Sequence, residues 1–304
     1  MNDYNPEVLI SQILDDKTHG ANWLSNRSLE ALSRIAQLSP SEDSEELLDT
    51  ITRYAVRIAR GRPSMAPIAN KLGALLTDLN NTLLLDELRQ TVKYRVSELI
   101  EESNENERRL IDHCKRIFVD CERVMTFSYS STVERILLDL GISEVVLTES
   151  RPKCEGRELA KALASAGLTV TLGVDSAICT LMRNVDTVIV GADSVLYDGS
   201  IVNKVGTYPL ALASREMEVH LYTVCDTWKF NVLHYLGNEV VLEEKEPEEV
   251  AAGLNGVEVK NPYFEIVPGN LVYGVITEQG VMSPHDIEDK MEQMEKTVQY
   301  LNNL

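Results

Sequence analysis

The chain has 304 residues, 44% of them hydrophobic and 25% charged, a composition that excludes collagen-like, purely coiled-coil and largely disordered chains. At roughly 150 residues per domain, the length suggests about two domains. With 29 Lys and Arg against 48 Asp and Glu the net charge is −19, so the surface repels phosphate backbones and a direct nucleic-acid role is disfavoured.

Residues 1–121 read as a helical N-terminal domain. Leu29, Leu32, Ile35 and Ala36 share one helical face before Leu38. Ser39-Pro40-Ser41-Glu42-Asp43 breaks the pattern, and Ser44 with Glu45 and Glu46 resembles a helix start. Leu47, Leu48, Ile51, Tyr54, Ala55 and Ile58 form the next stripe. Gly61-Arg62-Pro63-Ser64 then makes a turn into a new helix. Leu72–Leu79 and Leu84–Ile100 continue the helical pattern. The acidic run Glu101–Glu107 reads as a solvated stretch, and Leu110–Val119 is helical again.

From residue 122 to 304 the pattern is that of a Rossmann-like α/β domain. Strand-length apolar runs, Val124–Phe127, Val145–Thr148, Thr169–Leu172, Val188–Val190 and Leu221–Val224, alternate with helices over Val133–Leu140, Gly156–Ala166, Ser176–Met182 and Tyr208–Glu216. Tyr197-Asp198-Gly199-Ser200 reads as a hairpin turn. Alternating strands and helices predict right-handed crossovers and a doubly wound, mainly parallel sheet covered on both faces. The expected fold class is therefore α/β, with the helical domain in front.

No stretch reaches the roughly 18 apolar residues of a membrane span. The opening Met1-Asn2-Asp3-Tyr4-Asn5-Pro6 lacks a basic region followed by an apolar run, so the expected location is the cytoplasm. The five cysteines, Cys114, Cys121, Cys154, Cys179 and Cys225, form no CxxC pair and read as small buried hydrophobes. The five histidines show no metal-ligand spacing; no metal or cofactor is expected.

In doubly wound sheets, ligands bind beyond the carboxyl ends of the strands, where the strand order reverses. The polar residues at those ends are the candidates for chemistry. Ser128-Tyr129-Ser130-Ser131 leads into a helix, where free N–H groups bind an anion; capping by Ser130 or Ser131 explains the segment at least as well. Arg151, after the second strand, suits a bidentate phosphate contact or a salt bridge. Asp193 sits in the Gly191-Ala192-Asp193 turn, where a general acid or base is aimed, although such an Asp is more often a cap. Asn203, Lys204 and Lys229 add an amide and two cations. No G-x-G-x-x-G, Walker or G-x-S-x-G sequence is present. The residues alone describe a polar, partly cationic cleft for a small phosphorylated ligand.

Five motifs in order carry a resemblance: Thr148-Glu149-Ser150-Arg151-Pro152, Gly156, Asp175-Ser176-Ala177, Gly191-Ala192-Asp193 and Asn203-Lys204-Val205-Gly206-Thr207. They resemble the family of the alpha, beta and delta regulatory subunits of translation initiation factor 2B. That family also holds archaeal ribose-1,5-bisphosphate isomerases and methylthioribose-1-phosphate isomerases. Arg62-Pro63-Ser64, Asn261-Pro262-Tyr263-Phe264, Pro268 and Thr277-Glu278-Gln279-Gly280 extend the resemblance over most of the chain. It implies a homo-oligomer, a dimer or larger, and admits other initiation-factor subunits as partners.

The family's isomerases convert an aldose 1-phosphate into a ketose 1-phosphate with an Asp that helps open the ring and a Cys that relays a proton. The resemblance puts Asp193 at the Asp position, and Asn203 and Lys204 at ligand contacts. It puts Ser128 where the isomerases have Cys, and His19-Gly20-Ala21 where they have Arg-Gly-Ala at a phosphate contact. A thiol near pKa 8.5 is readily tuned into a base, whereas a serine hydroxyl needs a partner base. Ser128 and His19 favour a regulatory, ligand-binding member. Asp193, Asn203, Lys204 and Arg62 favour the alternative, an aldose–ketose isomerase acting on a substrate such as ribose 1,5-bisphosphate.

Overall fold

The computed structural model describes residues 5–16, 19–77, 79–254 and 256–302. Its helical first part runs α1 (Pro6–Leu14), α2 (Ala21–Leu38), α3 (Ser44–Gly61), α4 (Ala66–Thr77) and α5 (Leu85–Ile117). There follow β1 (Arg123–Thr126), α6 (Ser131–Asp139), β2 (Glu144–Thr148), α7 (Glu155–Ser165), β3 (Thr169–Gly173), α8 (Ile178–Leu181) and β4 (Thr187–Val190). The chain continues through β5 (Ser194–Val195), β6 (Ile201–Lys204), α9 (Thr207–Glu216), β7 (His220–Val224) and α10 (Val232–Tyr235). It ends with β8 (Phe264–Val267), β9 (Gly274–Thr277), β10 (Gly280–Met282) and α11 (Pro284–Asn302).

These elements group into two compact units. One comprises Met1–Glu105, Trp228–Val240 and Asp289–Leu304; the other comprises Asn106–Thr227 and Val241–Glu288. The first boundary between them falls within α5, which runs unbroken through the acidic stretch that was expected to interrupt it. Glutamate is a good helix former, and the Ser103 hydroxyl donates to the Leu99 carbonyl at 2.7 Å. The C-terminal end of α5 then buries Leu110, Cys114 and Phe118 in the sheet core.

In the first unit the predicted stripes are the buried ones: Leu29, Leu32 and Ile35 on α2, and Leu47, Ile51 and Ile58 on α3. Helix α3 begins at Ser44, with the Asp43 side chain accepting the Glu46 N–H at 2.9 Å. Helix α4 is buried on every side from Ala66 to Leu76, the pattern of a central helix.

The second unit holds a seven-stranded sheet in the order β10-β9-β7-β4-β1-β2-β3. All neighbours are parallel except β9 and β10. The order reverses at β1, with β2 and β3 on one side and β4, β7 and β9 on the other. Val124, Val145, Leu147, Ile189, Val224 and Ile276 from the strands pack with Val133, Ile136 and Leu137 of α6 and Leu159 and Leu163 of α7. A separate antiparallel sheet, β5-β6-β8, is closed by the expected hairpin, in which the Leu196 N–H donates to the Ser200 carbonyl at 2.8 Å. Cys114 and Cys225 are buried, and burial pushes the Cys114 thiol up to about 12. Cys121 and Cys154 are half-buried and Cys179 is exposed on the short α8, so the reading of all five as core hydrophobes is corrected there.

Two contacts fix the carboxyl edge of the large sheet. A Cβ on Gly156 would lie 2.0 Å from the Thr148 carbonyl oxygen, so only glycine lets the start of α7 seat on the end of β2. Gly156→Ala should destabilise the protein by about 1–3 kcal/mol, read as a lowered Tm; an unchanged Tm would mean that α7 can lift off β2. At the other side, the Glu278 carboxylate accepts the Thr227 N–H at 3.0 Å and the Thr227 hydroxyl at 2.6 Å, tying the end of β9 to the segment after β7. Burial pushes the Glu278 carboxyl above its ordinary 4.5, against the pull of the Thr227 hydrogen bonds, and the Asp226 charge adds to the rise. A raised folded value stabilises below the unfolded one, and that contribution is lost as pH rises through the raised value. Glu278→Gln removes this titration. In denaturant melts, the stability difference should therefore shift in the variant's favour as pH rises above the carboxyl's ordinary 4.5; a constant difference would refute it.

Candidate functional site

The expected site residues divide between the two units. His19, Gly20, Ala21, Arg62 and Lys229 lie in the first; Ser128, Ser130, Ser131, Arg151, Asp193, Asn203 and Lys204 lie in the second.

In the first unit, Gly20 is the extended N-cap of α2 and Ala21 its buried first residue. The His19 ring nitrogen Nδ1 is 2.8 Å from the Asp16 carboxylate, which also accepts the His19 backbone N–H at 2.8 Å. The imidazole stacks on Trp23 with ring centroids 3.7 Å apart. Arg62, at the end of α3, is buried and donates to the Ile13 carbonyl at 3.0 Å and to the Asp16 carbonyl. Arg62 thus holds the segment after α1 from below, and Asp16 in turn holds His19. Lys229 is buried in a 3-10 turn. The carbonyls on either side of it, from Trp228 and Phe230, each accept from the Asn70 amide at 2.7 Å.

In the second unit, the strand-order reversal makes β1 and β4 neighbours, with Val124 opposite Thr187 and Met125 opposite Val188. Their carboxyl ends therefore bring the segment after β1, which carries Ser128 and Ser130, next to the turn after β4, which carries Gly191 and Asp193. The approach is close: a Cβ on Gly191 would lie 2.9 Å from the Ser130 hydroxyl oxygen, which is why the turn after β4 begins with glycine. Ser130 is the N-cap of α6 and accepts the Val133 N–H at 3.4 Å, and Ser131 is the exposed first residue of that helix. Capping thus accounts for Ser130.

Ser128 is 8% exposed and has a left-handed backbone with φ 63°. A non-glycine residue there costs about 1–3 kcal/mol unless its surroundings hold it. What holds it is the Ser150 hydroxyl, which accepts the Ser128 N–H at 2.8 Å. Ser150 is itself left-handed, with φ 60°. Its N–H and that of Arg151 each donate to a different oxygen of Asp175, both at 2.7 Å. The Arg151 side chain is exposed and donates to the Val250 carbonyl at 3.0 Å.

The Asp193 N–H donates to the Val202 carbonyl at 2.8 Å, which joins the turn after β4 to β6. Asn203 and Lys204 therefore stand on a strand, β6, that borders Asp193 and leads into α9. The Asn203 amide donates to the Thr207 hydroxyl at 3.2 Å. Lys204 is 5% exposed; its ammonium lies 2.7 Å from the Glu155 carboxylate and 3.6 Å from the Tyr263 ring centroid. A buried ammonium needs such partners, since an uncompensated one costs several kcal/mol. The other Glu155 oxygen, Oε2, is buried without a hydrogen-bond partner.

Three members of this site were not assigned a role from the sequence. Asp175 belonged to a quoted motif, and its position just after a strand was the available signal. Ser150 sat in another such motif. Glu155 precedes Gly156, but nothing in the spacing pairs it with Lys204. Among the described residues, no group of three or more His, Cys, Asp or Glu could hold a metal ion. No helix among them is long and apolar enough to cross a membrane.

Residues 17–284 match the model of the initiation factor 2 subunit family. A putative translation initiation factor eIF-2B subunit 2-like protein of Pyrococcus abyssi is 34% identical over 286 residues, spanning 92% of this chain and 97% of that protein. The ribose 1,5-bisphosphate isomerase of Archaeoglobus fulgidus is 31% identical over 276 residues, spanning 88% and 86%. The crystal structure of a translation initiation factor eIF-2B from Pyrococcus horikoshii matches with a TM-score of 0.81 at 29% identity, covering 93% of this chain and 98% of that one. The helical front, the parallel sheet with its reversal at β1, and the ordered strand-end motifs agree with this likeness: the chain belongs to the initiation factor 2 subunit family.

Proposed function

We propose that the chain is a regulatory, initiation-factor-2B-like subunit that binds a small phosphorylated ligand, a sugar or nucleoside phosphate, at the carboxyl edge of its parallel sheet. The observation that carries this reading is Lys204. In a protein of net charge −19, a lysine is buried beside Asn203, on the strand that borders Asp193. Its counter-charge, Glu155, keeps 28% of its side chain exposed and is replaceable by an incoming phosphate. A cytoplasmic location and assembly with further copies or other initiation-factor subunits belong to the same reading. The name of the Pyrococcus abyssi relative, a putative eIF-2B subunit 2-like protein, supports the latter.

Isothermal calorimetry with ribose 1,5-bisphosphate and with AMP tests the ligand assignment. Lys204→Ala should weaken binding by roughly 1.5–3 kcal/mol, the value of a hydrogen bond to a charged group. Glu155→Gln should do the opposite: it lowers Tm, because Lys204 loses its partner, and tightens the anion. Unchanged affinity in Lys204→Ala, or weaker binding in Glu155→Gln, would refute the role of Lys204.

The second reading, an aldose–ketose isomerase, is favoured by the retained Asp193 and by the name of the Archaeoglobus relative. The reaction is redox-neutral overall. The ring C1–O bond breaks as the ring oxygen takes a proton, C2 loses a proton and C1 gains one, and the 2-hydroxyl gives up its proton as the ketone forms. Asp193 supplies the ring-opening proton; the C2-to-C1 relay needs a base where Ser128 stands. A neutral hydroxyl is a poor base near pH 7, and general acid–base catalysis is typically worth 10²–10⁴-fold. Wild-type protein should therefore turn over ribose 1,5-bisphosphate weakly or not at all. Ser128→Cys should gain activity, and adding Asp193→Asn should remove it again. Wild-type turnover of about 1 s⁻¹ or more would overturn the regulatory reading in favour of the isomerase.

A further inference from the structure

We infer that Asp175 is the positioning residue of this site: its carboxylate, acting through Ser150, sets the backbone from which the Ser128 side chain is presented. The inference deepens the reading of Ser128 as the relay position and rests on it for its functional meaning.

The geometry is a relay across three neighbouring strand ends. Strands β3, β2 and β1 lie side by side in parallel register, with Glu144 opposite both Arg123 and Thr169. Asp175 follows β3, Ser150 follows β2 and Ser128 follows β1. Each link is a hydrogen bond from a backbone N–H to a side-chain oxygen of the next segment. Asp175 Oδ1 accepts from Ser150 and Oδ2 from Arg151, each at 2.7 Å, so both oxygens are committed to one turn. That turn carries Ser150 with φ 60°, fully buried. The Ser150 hydroxyl donates weakly to its own strand, to the Thr148 carbonyl at 3.4 Å, which leaves its lone pairs for the Ser128 N–H at 2.8 Å. Ser128 is thus fixed in the left-handed region by a group that is itself fixed there.

A carboxylate suits the first link better than any neutral side chain. It presents two acceptors and no donor, and both incoming groups are N–H. An amide in its place would turn an NH₂ toward one of those N–H groups. A hydroxyl at position 150 suits the second link because it accepts without bringing a charge next to the reacting position. The chain of bonds also explains why three segments far apart in sequence, around residues 128, 150 and 175, carry small polar residues at strand ends.

Amide hydrogen exchange at Ser128, read by NMR in the full-length protein, isolates this role. Asp175 does not touch Ser128, so a purely local structural role would leave that amide unchanged. Asp175→Ala should speed exchange at Ser128 by tenfold or more, with amides of the β4–β7 ladder such as Ile189 unaffected; Asp175→Asn should fall in between. Ser150→Ala should give the same acceleration, and Ser150→Ala with Asp175→Ala together should give no more than Ser150→Ala alone, because the two act in series. In a Ser128→Cys background, Asp175→Asn should shift the pH profile of iodoacetamide alkylation at position 128, followed by peptide mass spectrometry. Unchanged Ser128 exchange in Asp175→Asn and Asp175→Ala, equal loss of protection at Ile189, or additive effects in the double variant would overturn the inference. If Asp175→Ala does not fold, Asp175→Asn and Ser150→Ala carry the same decision. A failure of wild-type protein to bind ribose 1,5-bisphosphate or AMP in calorimetry would count against the proposed function and leave the exchange result to decide the role of Asp175.

Discussion

Where parallel strands stop, their terminal N–H groups must find acceptors other than a neighbouring strand, and the carboxyl edge of this sheet is built around that requirement. Asp175 takes two of these groups, Ser150 takes one, and Glu278 takes the Thr227 N–H. Each acceptor is a side chain reaching across from an adjacent strand end. A buried N–H left unpaired costs about 1–3 kcal/mol, so these residues are required before any ligand arrives. The polar lining that makes the edge suitable for a ligand is in the first place the means by which the sheet ends.

The same accounting governs the cations. Of the cations assigned to a ligand in this chain of net charge −19, Arg151 is exposed, whereas Lys204 and Arg62 are buried. Burial is tolerable because each has compensating groups nearby. Lys204 has the Glu155 carboxylate and the Tyr263 ring face, and Arg62 has two main-chain carbonyls. These two solutions differ in consequence. Main-chain carbonyls cannot swing away, so Arg62 braces the end of α1 and Asp16. A glutamate side chain can, and on the proposed reading Lys204 would exchange Glu155 for a ligand anion. The distinction separates residues of the same charge that look equivalent in the sequence.

The centre of the large sheet was legible because β1, β2 and β4 are buried on both faces and read as short apolar runs such as Val145–Leu147 and Val188–Val190. Helices α2 and α3 were legible for the analogous reason, one apolar stripe each. Legibility failed where neither pattern operates. Strands β8, β9 and β10 are three or four residues long and separated by tight turns, too short for a period to show. The stretch 101–107 is acidic without apolar residues, so no apolar stripe marks its helix, which rests on the helix propensity of glutamate. The second shell of the site was invisible for a further reason. Spacing along the chain predicts which strand end a residue occupies; it says nothing of which neighbouring end lies within 3 Å. That is why Asp193, Lys204 and Ser128 were named as candidates, while Asp175 and Ser150 were seen only as motif letters and Glu155 was not singled out.

This separation between first and second shell bears on how binding and turnover divide within one fold. The network that fixes Ser128 runs through backbone N–H groups, and it is indifferent to whether the side chain at 128 ends in oxygen or sulfur. The position is set by Asp175 and Ser150; the chemistry is set by one atom. A hydroxyl is more polar and somewhat smaller than a thiol, so it fits in the space a thiol would fill, and its proton is far harder to remove near pH 7. On the regulatory reading, loss of the relay base costs catalysis without costing the ligand, and the hydrogen bonds that would hold a reactive group hold a rigid receptor instead.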